Sequence, residues 1–377
     1  MMTPNSRQFY DLFTGDGTAY RQFIDELFNQ RVQSVVCHVP FYRDLFAARG
    51  WTAAGFATIA SLHKLPIVDR ELVQAQPTER MINAVLDPAS LPPPSYTSGT
   101  SGPPLKLYTS RDFYLASFYL LQRSYGGAVP FVAACVSDAD RALPPADGCQ
   151  LHFLSRNRTT AELFARLLEL KPDLVMMRPD RWRLLIEEVG GELARLRLVV
   201  AGVSGMMTAP SERAYFATFL GCPVANMYGA NELGGAIFEC PAGREHVLAH
   251  HNFLEIVDDD DRAVAPGVTG HLVWTSLDNR IMPFVRYKIG DTGAFAAEQS
   301  CRCGWQGPGT LSFAANDIAL SDREKPASHG QSALTRPGLR QWTSKSGGTT
   351  SLPSRPAIAA VRSRDRISRH LFSPFID

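Results

Sequence analysis

Between residues 161 and 229 the chain alternates a helical pattern with a short apolar run three times, and this rhythm restricts the fold more than any other feature. AELFARLLEL (161–170) sets Leu163, Phe164, Leu167 and Leu168 on one stripe at 3.6-residue spacing, and KPDLVMM follows as a short buried strand. RWRLLIEEVGGEL then predicts a second helix and RLRLVVAG a second strand, SERAYFATFLG a third helix and CPVANMYG a third strand. Helices that alternate with apolar strands in this way predict βαβ units and a parallel sheet, so the expected class is α/β.

The flanks differ in texture. Tyr20, Phe23, Ile24, Leu27 and Phe28 predict a helix over 20–36, which Pro40 ends. PTERMINAVLDPASLPPPS is polar and broken by prolines, and reads as loop. Beyond 250, NFLEIVDDDDRAV predicts two strands around an acidic turn and GHLVWTSL another, so a β-rich portion is expected after the α/β portion. Residues 321–377 hold ten Lys or Arg against four acids, and nineteen of these 57 residues are Ser, Pro or Gly; with no sustained period, they predict a disordered basic tail. The expected division is a helical N-terminal segment and lead-in over 1–95, a core over 96–310 that turns β-rich near 250, and an atypical tail over 311–377. No internal repeat is found.

Composition excludes several classes. With 377 residues and 45% apolar residues the chain has ample material for a large core. Lys plus Arg number 38 against 37 Asp plus Glu, which removes the whole-chain argument for nucleic acid or an anionic membrane as partner. No apolar run reaches the ~20 residues that a membrane span needs. The N-terminus lacks the basic-then-apolar order of an export signal. Seven cysteines do not look like a disulfide framework, and a reducing cytoplasm is the expected compartment. A homodimer is the default assembly.

Three motifs carry chemistry. SYTSGTSGPPLKLYTS (95–110) packs Thr97, Ser98, Gly99, Thr100, Ser101 and Gly102 together, with Lys106 close behind. Glycines let successive backbone N–H groups converge on an anion, hydroxyls add donors, and a lysine supplies a point charge for a phosphate chain. Pro103 and Pro104 separate this run from the GxxxxGK[ST] pattern, because no helix can start directly behind it. MYGANELGG (227–235) follows the third predicted strand, where ligands bind in such sheets. Tyr228 there could stack a base and Glu232 could hold Mg²⁺. PFVRYKIGDTGAF (283–295) places Asp291 after a glycine, where a carboxylate can accept from two vicinal hydroxyls.

In this order and at these separations the motifs resemble the signature of adenylate-forming enzymes, most closely the phenylacetate–CoA ligase, coenzyme F390 synthetase and CapK-like branch. VPFYRDLFAARG (39–50), LHKLPIVDRELV (62–73) and GHLVWTSLDNRIMPFVRYKIGD (270–291) are similar to that branch as well, so the likeness covers roughly 35–310. The resemblance implies a large adenylate-forming domain that activates a carboxylic acid with ATP and Mg²⁺. An acyl-adenylate and pyrophosphate form first, and CoA thiolate then displaces AMP. An aryl acid is favoured by analogy with the relatives. It implies that Ser98 through Gly102 wrap the phosphates with Lys106 nearby, that Tyr228 stacks on adenine beside Gly229, and that Glu232 holds Mg²⁺. Asp291 would bind the ribose, Ser204 and Gly205 of AGVSGMM would flank the adenine, and Arg286 would be a supporting charge near the phosphate.

The chain departs from the pattern twice. Asn231 stands where the family has Thr or Ser, although its amide can still donate to a phosphate. CRCGWQGPGTLSFAANDIALSD follows the third motif in place of the family's hinge and mobile lid, and Lys325 and Lys345 lie in unrelated contexts, as in a truncated or frame-shifted gene end. Two alternatives therefore stay open: a nucleotide-binding remnant without turnover, and an adenylating enzyme with another acyl acceptor.

Cys240-x5-His246, with Cys301-x-Cys303 after a further 54 residues, offers three thiols and an imidazole, the Cys₃His set of a structural zinc site. Some members of the resembled branch carry ligands at matching places. His250 and His251 compete for the imidazole role, and Cys37, Cys135, Cys149 and Cys222 have no evident partners.

Overall fold

The computed structural model describes residues 6–51, 59–97, 103–109, 112–146, 148–297, 301–306 and 311–314. The chain opens with three helices, α1 (Ser6–Phe13), α2 (Gly17–His38) and α3 (Pro40–Ala47). The stripe read from the sequence is the buried face of α2: Tyr20, Ile24, Leu27 and Phe28 are inside, and Val32, Val35 and Val36 extend the same stripe. Asp16 caps this helix through the Thr18 amide, and Val39, extended as a residue before proline must be, ends it. Pro40 then begins α3 at the one position where a missing N–H does no harm.

Two short helices, α4 (Arg70–Gln74) and α5 (Thr78–Met81), lead to a two-residue antiparallel pair, β1 (Ser95–Tyr96) with β2 (Lys106–Leu107). The chain continues through α6 (Asp112–Ser124), β3 (Phe131–Ser137), β4 (Arg141–Ala142), β5 (Cys149–Ser155), α7 (Thr160–Leu170), β6 (Leu174–Met177), α8 (Pro179–Val189), β7 (Val200–Ser204), α9 (Pro210–Leu220), β8 (Val224–Ala230), β9 (Gly234–Glu239) and β10 (Glu245–Val247). These strands form one sheet in the order β10-β9-β8-β7-β6-β3-β5-β4. Its five central strands, β8 to β5 in that order, are parallel, and antiparallel strands flank them. The alternation in the sequence is thus three βαβ units, each helix started by a capping box (Thr159 with Glu162 on α7) or by a proline at its first position (Pro179, Pro210).

Successive residues of the parallel strands enter opposite layers, as a period of two requires. Leu174, Met176 and Val200 face the core shared with α1 and α6, whereas Val175, Met177 and Ala201 face the core under α7, α8 and α9. A third core packs α2 and α3 against Leu277, Phe284 and Tyr287.

The sheet is wider than the rhythm predicts. FVAACVS (β3) and CQLHFLS (β5) pair in parallel along seven residues each. A loop with β4 joins them instead of a helix, so no alternation marks them. The expected β-rich portion is a four-stranded antiparallel sheet of β11 (Asn252–Val257), β12 (Gly270–Ser276), β13 (Tyr287–Phe295) and β14 (Leu311–Ala314). One expectation there needs correction. NFLEIVDDDDRAV holds a single strand, because after the Asp258–Arg262 turn its second limb makes one isolated bridge, Val257 with Ala263. The Asp258 carboxylate caps that turn through the Asp260 and Arg262 amides, and Pro266 follows before a ladder can extend. The tail expected over 311–377 begins with β14, which pairs with β13, and the rest of it lies outside the described residues. No helix among the described residues is long and apolar enough to cross a membrane.

Trp182 of α8 is fully buried and donates its indole N–H to the Gly202 carbonyl of β7 at 3.0 Å. Trp182→Ala should lower the free energy of unfolding by about 3–5 kcal/mol in urea titration. Trp182→Phe keeps most of the packing and should cost about 1–2 kcal/mol.

Candidate active site

The last residues of β8 carry the second motif to the carboxyl end of the parallel sheet. A bulge between Tyr228 and Gly229 turns the strand there. A Cβ on Gly229 would collide with the Gly234 carbonyl oxygen, so only glycine lets β8 and β9 approach this closely. The turn is closed by Leu233 N–H donating to Ala230 O at 2.9 Å, and it leaves Glu232 only 5% exposed.

Arg70 meets this buried carboxylate. Its Nη1 lies 3.4 Å from Glu232 Oε1, while Nη2 donates to Thr97 Oγ1 at 2.9 Å and to the Pro103 carbonyl at 3.0 Å. Asp69 caps α4 through the Leu72 amide and so sets Arg70 at the helix start. Val68 is held by Arg286 O and Lys288 N–H on either side of Tyr287, so the lead-in lies along the beginning of β13. Thr97 also pairs with Leu105 through both its backbone N–H and its hydroxyl oxygen. Arg70 and Thr97 thus fix both flanks of the hydroxyl–glycine run. Ser98, Gly99, Thr100, Ser101 and Gly102 themselves lie outside the described residues.

The third motif arrives on β13. Asp291 Oδ2 accepts from the Tyr228 hydroxyl at 2.6 Å, and the Tyr228 ring stacks on Trp274 with centroids 6.2 Å apart and planes 20° apart. Burial, with the Asp291 charge beside it, holds the Tyr228 hydroxyl well above its ordinary pKa. Burial likewise raises the Glu232 carboxyl; Arg70 opposes that rise and the Asp291 charge adds to it. A buried carboxylate and a half-buried one thus lie near each other, with Arg70 against the buried one.

The remaining candidates separate into two groups. Ser204 ends β7 opposite Met227, next to Tyr228, and Gly205 follows with φ +80°, so both stand at the same strand ends. The Asn231 amide donates to the Tyr96 carbonyl at 2.8 Å and fastens the second motif to the flank of the first. Lys106 projects from β2 over the Tyr108 ring, with Nζ 5.3 Å from its centroid. Arg286 is not gathered with them. Its Nε binds Glu255 at 3.0 Å and its Nη1 binds the carbonyls of His63 and Leu65, so its guanidinium joins β11, β13 and the lead-in. Arg70 escaped the sequence reading because its partner lies 162 positions away; the signal available was a basic residue behind the helix-capping Asp69 in the lead-in.

A second cluster forms at the sheet's other edge. The ligand atoms of Cys240, His246, Cys301 and Cys303 all lie within 4.8 Å of one another. Cys240 Sγ is 3.8 Å from Cys301 Sγ, and Cys303 Sγ is 3.3 Å from His246 Nε2. A tetrahedral zinc with Zn–S about 2.3 Å and Zn–N about 2.0 Å needs S···S near about 3.8 Å and S···N near about 3.5 Å. The donor set fits. Burial, then the Arg244 charge, lowers His246 to about 4, so its imidazole is neutral and able to bind metal. Neither rival histidine joins the cluster: His250 packs edge-on against Phe13, and His251 Nδ1 lies 2.9 Å from Asp278. Trp305, stacked on Phe13 at 4.1 Å, ties the Cys301–Cys303 segment to α1.

Comparison with known proteins places the chain in a family. The AMP-binding enzyme family matches residues 58–277, more than half of the chain. The chain is similar to phenylacetate–coenzyme A ligase of Thermus thermophilus, at 25% identity over 324 residues that cover 76% of this chain and 69% of that protein. Phenylacetate–coenzyme A ligase of Escherichia coli is 24% identical over 305 residues, covering 73% and 68% of the two chains. Among solved structures, an open conformation of 2-hydroxyisobutyryl-CoA ligase, in complex with 2-HIB-AMP and CoA, superposes with a TM-score of 0.67. It covers 82% of this chain and 78% of that one at 16% identity, a likeness of fold. From the matched span, and from a fold shared with an acyl-CoA ligase, the chain belongs to the AMP-binding enzyme family.

Proposed function

We propose that this chain is an AMP-forming acid–CoA ligase. In the first half-reaction a carboxylate oxygen attacks the α-phosphorus of ATP; the α–β bridging bond breaks, pyrophosphate leaves and an acyl-adenylate forms. In the second, CoA thiolate attacks the acyl carbon and AMP leaves with the bonding electron pair. The observation that carries the reading is the gathering of Glu232, Arg70 and Thr97 at the flanks of the hydroxyl–glycine run, with Tyr228 and Asp291 hydrogen-bonded beside them.

On this reading Asp291 accepts from the ribose hydroxyls, exchanging its Tyr228 partner for them. Tyr228, backed by Trp274, offers its ring to adenine, with Ser204, Gly205 and Gly229 as its close surroundings. Ser98 through Gly102, with Lys106, hold the phosphate chain, and Asn231 keeps the two motifs together. Glu232 would hold Mg²⁺, which when bound neutralises charge on the phosphates. Arg70 offsets the Glu232 charge from the opposite side and lends a second cation to the same region. The phenylacetate–CoA ligase relatives favour an aryl acid as substrate and CoA as acceptor. A cytoplasmic location and a homodimer accompany this reading.

Cys240, His246, Cys301 and Cys303 would hold a structural Zn²⁺, which when bound closes the loops after β9 and β13 into one unit. Burial raises the Cys240 thiol and pushes Cys303 to about 12, and a bound cation would reverse both shifts. Purified protein should contain about one zinc per chain by elemental analysis. Cys301→Ser should lose the metal and lower Tm; a metal-free wild type of equal stability would end the zinc assignment.

The functional test is ATP–pyrophosphate exchange with a panel of aryl and aliphatic acids, followed by thioester formation on adding CoA. Acid-dependent exchange supports adenylation, and exchange without thioester formation points to another acceptor. Asp291→Ala should weaken ATP binding by about 2 kcal/mol, roughly thirtyfold, through loss of a charged acceptor. An unchanged ATP affinity would remove Asp291 from the nucleotide site.

A further inference from the structure

The β11–β12 pair ends where Asn252, the first residue of β11, faces Ser276, the last residue of β12. That end carries two short runs of buried polar residues, His251–Asn252 and Asp278–Asn279. Leu277 N–H donates to the His251 carbonyl at 2.7 Å, and His251 Nδ1 lies 2.9 Å from Asp278 Oδ2, so the two runs are fastened to each other. Burying polar side chains this deeply costs free energy unless they hold something in return.

Each asparagine holds one limb of the proposed nucleotide site. The Asn252 amide donates to the Leu233 carbonyl at 2.9 Å, and Leu233 is the residue directly after Glu232. The Asn279 amide donates to the Tyr108 carbonyl at 3.2 Å, and the Tyr108 ring is the surface on which Lys106 Nζ rests. The Tyr108 carbonyl lies just past the last paired residue of β2, and the Leu233 carbonyl lies in the turn just before the first paired residue of β9. Asn279 also turns its own loop: its amide donates to Met282 O at 2.8 Å and its oxygen accepts from the Ile281 and Met282 amides.

We infer that this end of the β11–β12 pair is a spacer that sets the separation of Glu232 from Lys106, which makes Asn252 and Asn279 positioning residues for the magnesium-bound triphosphate. The inference rests on the adenylation reading. Its physical basis is that a metal-holding carboxylate and a phosphate-binding ammonium act on one ligand only at a fixed spacing, and a displacement of about 1 Å can cost about a hundredfold in rate.

Asn279→Asp tests the effect at one limb. A carboxylate still accepts from the Ile281 and Met282 amides, but it can donate neither to Tyr108 O nor to Met282 O. Asn252→Asp removes the donation to Leu233 O at the other limb. Leu277→Ala is the control, since it removes buried packing from the same stretch while leaving both asparagines in place. Binding is measured by calorimetry at 25 °C for Mg·ATP and for AMP, and KM for ATP and for the acid comes from the exchange assay. Each asparagine variant should bind Mg·ATP about tenfold more weakly, the equivalent of one lost hydrogen bond, with AMP affinity and acid KM within about twofold of wild type. Leu277→Ala should lower Tm and leave Mg·ATP affinity within about twofold. Asparagine variants that bind Mg·ATP as wild type does, or that lose ATP, AMP and acid together, would overturn the spacer while leaving adenylation standing. A folded wild type that binds no Mg·ATP would overturn the adenylation reading and the spacer with it.

Discussion

A glutamate carboxylate that is 5% exposed and 3.4 Å from an arginine is the contact around which this molecule is arranged. Removing a carboxylate from water is costly unless a cation and donors compensate, and Arg70 supplies part of that compensation to Glu232. Holding Arg70 requires the lead-in strand to lie along β13, which Val68 secures through its two backbone bonds and Arg286 secures through the carbonyls of His63 and Leu65. Arg70 in turn reaches Thr97 and Pro103, and so draws in the flanks of the hydroxyl–glycine run. Four segments far apart in sequence converge on one point because a single ion pair needs all of them.

The two sheets divide the work. The parallel sheet delivers Ser204, Tyr228 and Glu232 to its carboxyl edge, the usual place for a ligand in such folds. The antiparallel sheet supplies Asp291 and backs Tyr228 with Trp274. The Tyr228–Asp291 hydrogen bond is therefore a contact between sheets as well as a feature of the site. The cysteine–histidine cluster sits at the far edge, where β9 ends and β10 begins, and joins the segment after β13 to the N-terminal helix by way of Trp305 and Phe13.

Much of this was legible in the amino-acid sequence, for local reasons. The α2 stripe, the three βαβ units and their Pro and Gly boundaries follow from patterns within a dozen residues of one another, and the three motifs are contiguous. Features decided by distant contacts were not legible. β3 and β5 lack an intervening helix and so gave no rhythm. Arg70 and Glu232 are joined only once the lead-in has docked. Arg286, expected near the phosphate, is drawn instead to Glu255 and two backbone carbonyls by a backbone geometry that no motif displays. Among three histidines close in sequence, only the folded chain selects His246, because β10 turns its side chain toward the cysteines whereas His251 is taken by Asp278.

The proposed function asks that Glu232 be a buried carboxylate ready for a cation. Its pKa in the ligand-free protein is raised above the usual carboxylate range, and a bound Mg²⁺ would lower it. Mg·ATP binding should therefore release a proton as pH falls toward that raised value, and affinity should grow with pH until Glu232 is fully ionised and then level off. Calorimetry of Mg·ATP binding in buffers of different ionisation enthalpy, stepped down in pH from about 8, reads this directly. Proton release at the lower pH that vanishes at the higher one, and that is absent from Glu232→Gln, is the expected result. Proton release equal in wild type and Glu232→Gln, or absent from both while Mg·ATP binds, would contradict the account.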